Sequence, residues 1–170
     1  MLTHLIALAI LTGGEPVTDG PFTQTGEVAA SKERTVTMSP VQPSDQKSVA
    51  IPLGASPWLQ QYDPADHTPY VFDFSGLLGN SEKIVSIEAV NVNATAALLG
   101  IGVEVDPLYA PLIDTAGKKC QIWFAVIPAS WDLPSFDAAG VMLPITMRVA
   151  TDSTPPKRYE RTAVLTVRQL

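Results

Sequence analysis

Beyond residue 68 the chain alternates apolar and polar residues with a period of two, the pattern of strands that bury one face. Tyr70–Phe74 is a short aromatic run. Within 84–92, Val85, Ile87 and Ala89 fall on one side and Ser86 and Glu88 on the other. Within 101–106, Ile101, Val103 and Val105 oppose Gly102, Glu104 and Asp106. Residues 120–127 are apolar on both faces, which marks a central strand or one covered by a partner. Ile145, Met147 and Val149 then alternate with Thr146, Arg148 and Ala150, and Ala163, Leu165 and Val167 with Thr162, Val164, Thr166 and Arg168. Six strands separated by Gly, Pro and Asp turns predict a mainly-β, immunoglobulin-like antiparallel β-sandwich over residues 67–170.

Residues 1–66 read differently. Between Thr12 and Asp66 lie seven of the fifteen prolines, with turn signals at Gly13-Gly14, Asp19-Gly20-Pro21, Ser39-Pro40, Gln42-Pro43 and Pro52-Leu53-Gly54. Long irregular stretches in small domains are functional or disordered, yet this one keeps Phe22, Val36, Met38, Ile51, Trp58 and Tyr62 and is too apolar to stay unfolded. The expectation is an extended N-terminal arm with short strands at 34–38 and 48–53 and a helical turn near 57–61. The arm would either pack back on its own sandwich or run over neighbouring subunits; as a tether, its apolar residues would be covered mainly by other chains, leaving residues 67–170 able to fold alone. The run Leu5-Ile6-Ala7-Leu8-Ala9-Ile10-Leu11 resembles the core of a signal peptide but lacks the preceding positive charge, and seven residues are too few to span a bilayer. It reads as a segment, with Leu5 and Leu8 in it, that packs on protein.

Composition sharpens this. Hydrophobic residues make up 46% of the chain and charged ones 16%. So light a charge load fits a surface partly covered by a partner, because interface cores are depleted in charge. A net charge of −6 with scattered Lys and Arg argues against nucleic acid as a ligand, since phosphate recognition needs clustered cations. The single cysteine, Cys120, permits no internal disulfide and heads an apolar run, so it reads as a buried thiol.

A search for chemistry finds little. His4 and His67 are too few and too far apart for a His-based triad or a multi-imidazole zinc site. The glycines at 76–79 and 100–102 lack the Lys-Ser/Thr or following helix of a phosphate loop. Asp63, Asp66 and His67 are the best metal-like cluster but read as solvated turn residues. Glu104 and Asp106, on one strand face, form a polar edge rather than two carboxylates across a cleft. The reading is a protein without catalytic residues, cofactor or metal.

Three segments resemble a small Ig-like structural domain of tailed bacteriophages. They are Tyr70-Val71-Phe72-Asp73-Phe74-Ser75-Gly76-Leu77-Leu78 with Glu82-Lys83-Ile84, Ile145-Thr146-Met147-Arg148-Val149-Ala150-Thr151-Asp152-Ser153, and Tyr159-Glu160-Arg161-Thr162-Ala163-Val164-Leu165-Thr166-Val167. The turn Ala138-Ala139-Gly140 and the inserted Thr154-Pro155-Pro156 depart from that pattern. The resemblance implies a virion structural protein, made in the host bacterial cytoplasm and present in many copies. A capsid decoration or cement protein that binds the major capsid protein or other virion subunits is the leading form. The alternatives are a head–tail or tail component, or a host- or carbohydrate-binding module presenting Trp131 and Phe136 on its end loops. Aromatic side chains anchor interfaces, so the candidate contact residues are Leu5, Leu8, Phe22, Val36, Met38, Ile51, Trp58, Trp123, Trp131 and Phe136. Neither nucleic acid nor membrane is expected as a partner.

Overall fold

The computed structural model describes residues 17–40 and 54–170. Eleven strands lie among them: β1 (Val17–Phe22), β2 (Thr25–Gly26), β3 (Thr35–Thr37), β4 (Ser56–Pro57), β5 (Pro69–Asp73), β6 (Ile84–Val92), β7 (Ile101–Val103), β8 (Leu112–Asp114), β9 (Lys119–Val126), β10 (Val141–Thr151) and β11 (Arg158–Val167). One α-helical turn, α1 (Ala94–Leu98), joins β6 to β7, and Asn93 caps it by accepting the Ala96 N–H on its side chain. One sheet, A, runs β1-β6-β10-β11-β4. The other, B, runs β2-β8-β9-β5-β3, with β7 paired to the far half of β9. The two sheets pack face to face as a β-sandwich.

The alternating runs build the centre as the sequence predicts. Leu143, Ile145, Met147 and Val149 of β10 and Ala163, Leu165 and Val167 of β11 point inward against Tyr70 and Phe72 of β5 and Ile122 and Phe124 of β9. Strand β6 departs from strict alternation. Its register against β10 slips between Arg148 and Val149 and again between Ala150 and Thr151. Each slip inserts an extra residue, so the inward set becomes Ile84, Ile87, Val90 and Val92, and Val85 is turned outward and exposed. Val105 is also exposed rather than inward, because β7 ends at Val103.

The largest correction concerns the expected arm. Residues 17–57 supply β1, β2, β3 and β4, and each is an outer strand. β1 pairs antiparallel with β6, while β2, β3 and β4 pair parallel with β8, β5 and β11. The sheets are therefore mixed, antiparallel at their centres and parallel at three margins. A bare sheet edge offers unpaired N–H and C=O groups, and this segment satisfies them within its own chain. Val36, Met38 and Trp58 consequently lie in the core, and Phe22 packs partly buried against it. They are not an arm's contacts with other subunits. The turn expected near 57–61 is β4 followed by bends. The expected strand at 48–53 and the residues Leu5, Leu8 and Ile51 lie outside the described residues. β1 crosses Gly20-Pro21, a pair that reads as a turn. A Cβ at Gly20 would sit 2.2 Å from the Ile87 carbonyl oxygen, so only glycine lets this strand lie so close to β6.

Between β2 and β3 the chain must cross sheet B from one margin to the other. The Ala29 N–H donates to Gln121 Oε1 at 2.6 Å, which places the crossing over the outer face, where Val71 and Gln121 are buried. On the opposite flank residues 54–62 run beside β11 and stitch the sheets together. Trp58 donates its indole N–H to the Val71 carbonyl (3.0 Å), and its ring meets Tyr70, Phe72 and Phe124 edge-on at 5.0–6.0 Å. Tyr62 donates to the carbonyl of Phe124 at 3.0 Å and to that of Asp66. Tyr70 reaches back to the carbonyls of Gln60 and Gln61.

Trp58→Ala should therefore destabilise the fold by about 3–5 kcal/mol, measured by urea denaturation. Deleting residues 1–66 should abolish cooperative unfolding, because it strips both flanks. A cooperative transition in that truncation would restore the arm reading. Burial raises the pKa of both tyrosines, that of Tyr70 to about 12 from an ordinary 10.0. Groups raised in this way stabilise the fold fully below the unfolded value and lose that contribution as the pH climbs through the folded one. Alkaline unfolding should accordingly coincide with late tyrosinate absorbance, and Tyr70→Phe should flatten the loss above pH 10.0.

Candidate interaction surfaces

The two ends of the sandwich differ in chemistry. At one end Glu82 is only 7% exposed. It accepts from the Gly79 N–H (3.1 Å), the Thr151 hydroxyl (2.8 Å) and Lys157 Nζ (3.2 Å). The Gly79 hydrogen bond, then those from Thr151 and Lys157, hold its carboxyl below the ordinary glutamate range. Beside it Lys118 Nζ donates to the carbonyls of Gly79, Asn80 and Glu82 at 2.6–3.3 Å. Asp114 accepts the N–H groups of Lys118 and Lys119 at the start of β9. Both Glu82 oxygens are committed to fixed donors, so this carboxylate fastens loops and faces no cleft.

The outer face of sheet A carries a shallow depression of about 480 Å³ lined by Gly20, Pro21, Ser86, Glu88, Arg148 and Arg158. Glu88 meets Arg158 at 2.8 Å and Arg148 at 3.2 Å, and Arg148 also faces Glu160 at 3.9 Å. Two cations are matched by two carboxylates, which leaves no net field to draw a charged ligand. Exposed pairs of this kind contribute little stability.

The outer face of sheet B is aromatic where the 27–34 crossing leaves it bare. Ile122 and Phe124 face the core, so Trp123 between them faces away and is half-buried. It packs against Tyr109 (centroids 5.0 Å apart) and His67 (5.1 Å), which touch each other at 4.6 Å. Glu104 Oε1 lies 3.9 Å from His67 Nε2, and Val105 and Leu108 stand exposed on the adjoining loop. The residues weighed for chemistry separate here. Asp63 accepts the Ala65 and Leu170 N–H groups, Asp106 caps its own turn at Leu108, and Glu104 turns to His67. Among the described residues no three of His, Cys, Asp and Glu converge on a metal position. Cys120 is a buried free thiol whose pKa is pushed up by burial.

At the other end the two named loop aromatics part company. Phe136 is fully buried in the core, so it offers nothing to a partner; the Pro134–Phe136 turn folds it under the loop. Trp131 stays 39% exposed while its indole N–H donates to the Val126 carbonyl at 2.9 Å. The same end exposes Leu98 of α1, Ile127, Met142 and Leu170. Gly100 (φ 76°) lets the chain turn tightly here, since a Cβ would meet Ile127 Cγ1 at 2.5 Å. Sequence reasoning missed Tyr109, Leu108 and Leu98, because isolated apolar residues in loops carry no periodic signal.

No family model, curated protein or solved structure matches this chain.

The hydrogen bonds on Glu82 make stability depend on pH in the acid range. A carboxylate with a depressed pKa contributes stability above its unfolded value, here 4.5, and the contribution disappears as the pH falls through the folded value. Glu82→Gln should lower the denaturation midpoint at neutral pH and flatten the fall in stability below pH 4.5, read from urea midpoints across an acid series.

Proposed function

We propose that this protein is a non-catalytic structural component of a tailed-phage virion, a decoration or cement protein that docks on capsid subunits through the outer face of sheet B. The observation that carries the reading is the patch of Trp123, Tyr109, Val105 and Leu108 on a chain of low charge. Half-buried aromatic anchors flanked by exposed aliphatic residues are the composition of an interface centre. His67 and Glu104 supply the polar rim. Docking by face is favoured over strand addition, because the outermost strands β2, β3 and β4 are only two or three residues long and β1 is interrupted at Gly20-Pro21, features that make poor templates for a partner strand. The three segments that resemble phage Ig-like domains form β5 with the turn after it, β10 and β11, three strands that are each paired on both sides. Many weak copies on a shell bind by avidity, which suits a patch of this modest size.

The test is co-sedimentation of the purified chain with capsids of the parent phage lacking it, alongside the double variant Trp123→Ala, Leu108→Asp. The expected result is a loss of binding of at least about a hundredfold, the size of two hot-spot truncations, with an unchanged denaturation midpoint. Retained binding by the variant would move the contact elsewhere on the sandwich. Absence of binding by the parent chain would remove the capsid reading.

A further inference from the structure

The aromatic patch on sheet B is acidic at its rim. Besides Trp123 of β9, the stretches 62–67 and 101–109 build it, and neither holds a Lys or Arg. Between Lys47 and Lys118 the chain has Lys83 alone, which lies at the Glu82 end beside Asp152. Against that, the same two stretches carry Asp63, Asp66, Glu104 and Asp106, and Asp66 and Asp106 are exposed. Burial raises the pKa of the Tyr62 phenol most, and the charges of Asp66, Glu104 and Asp63 raise it further. That gathers three carboxylates about one point beside Phe124, the residue after Trp123. The 27–34 crossing brings Lys32 and Arg34 but also Glu27 and Glu33, and the one cation of β9, Lys119, pairs with Asp73 at 3.6 Å.

Docking by this face takes water away from Glu104. Its backbone N–H donates to the Trp123 carbonyl at 2.9 Å, so Glu104 is held next to Trp123. Its 3.9 Å pair with His67 attracts only while the imidazole is protonated. A carboxylate covered by a partner needs a cation and hydrogen-bond donors. Trp123 meets Tyr109 at 62° and His67 at 47°, so neither ring is stacked flat on the indole. We propose that the occupant of this face presents an arginine, whose guanidinium lies flat on Trp123 and donates to Glu104. Arginine fits both demands better than lysine. It is planar and weakly hydrated, it stacks on aromatic faces, and its two parallel N–H groups match a carboxylate. The inference gives the chemistry of the partner in the docking reading above, and rests on that reading for the partner's being a capsid subunit.

A hexa-arginine peptide titrated into the isotope-labelled full chain decides it, read from the indole N–H signals of the three tryptophans. The Trp123 signal should shift saturably, while those of buried Trp58 and of Trp131 at the far end stay in place. Glu104→Gln should weaken the peptide about fivefold or more. Glu160→Gln, which removes the same charge from the outer face of sheet A, should leave it unchanged, and hexa-lysine should bind more weakly than hexa-arginine. Equal shifts at Trp123 and Trp131, equal losses in the two Gln variants, or equal binding of the two peptides would overturn the arginine seat in favour of diffuse attraction to an acidic chain. Co-sedimentation with capsids separates this inference from the reading it rests on. Capsid binding that is lost in Trp123→Ala, Leu108→Asp yet unchanged by Glu104→Gln would keep the docking face and overturn the arginine. A parent chain that takes the peptide at Trp123 but binds no capsid would sustain the arginine seat and remove the capsid as its source.

Discussion

An indole enclosed between two sheets has one N–H that must find an acceptor, and for Trp58 that acceptor is the carbonyl of Val71 in the opposite sheet. The bond fixes more than one side chain. Trp58 belongs to the segment beside β11 in sheet A, so its reach to β5 ties that margin to sheet B. Tyr62 repeats the device toward Phe124, and Tyr70 returns it toward Gln60 and Gln61. With these polar ends satisfied, the rings can fill the interior between Phe72 and Phe124 without leaving a buried donor unpaired. The separation of the sheets along this flank, and hence the inward packing of β10 and β11, depends on that arrangement.

The rest of the early chain solves a related problem. Two sheets have four margins, and β1, β2, β3 and β4 are set against them, with the crossing at Ala29 closing part of the outer face of sheet B. The outermost positions thus go to strands that are short or interrupted by Gly20-Pro21. The two ends then divide the work. The Glu82 end is knitted by charged groups on backbone atoms, while the Trp131 end keeps its apolar side chains outward.

The central strands were legible because they obey one period over several residues. β5, β9, β10 and β11 fall within a residue or a few of where alternation puts them, and the two-sided apolar run at 120–127 is indeed central, flanked by β5 on one side and by β7 and β8 on the other. The phase of β6 was not legible, because a bulge leaves no mark in an apolar run. Nor were β2, β4 and β8, since two or three residues are too few to show a period. β1 was hidden by Gly20-Pro21, which local chemistry reads as a turn and which an edge strand tolerates. Val36, Met38 and Trp58 lie in the core although their sequence is irregular, because an outer strand needs only two or three paired residues, too few to show a period. Of the surface residues, Trp123 and Trp131 were visible as aromatics with no guaranteed place inside. Their neighbours Tyr109 and Leu98 are brought to them only by tertiary structure.

The parallel pairing of β4 with β11 has a kinetic meaning. Ser56 aligns with Ala163, so a strand near the start of the chain waits for one about a hundred residues later, and its loop must close before any contact rewards it. The same delay applies to Trp58, whose place beside Val164 does not exist until β11 has joined β10. During synthesis β4 and Trp58 leave the ribosome well before the β11 residues they pair with. Folding should be slow for a domain of this size, with Trp58 left uncovered until β11 is in place.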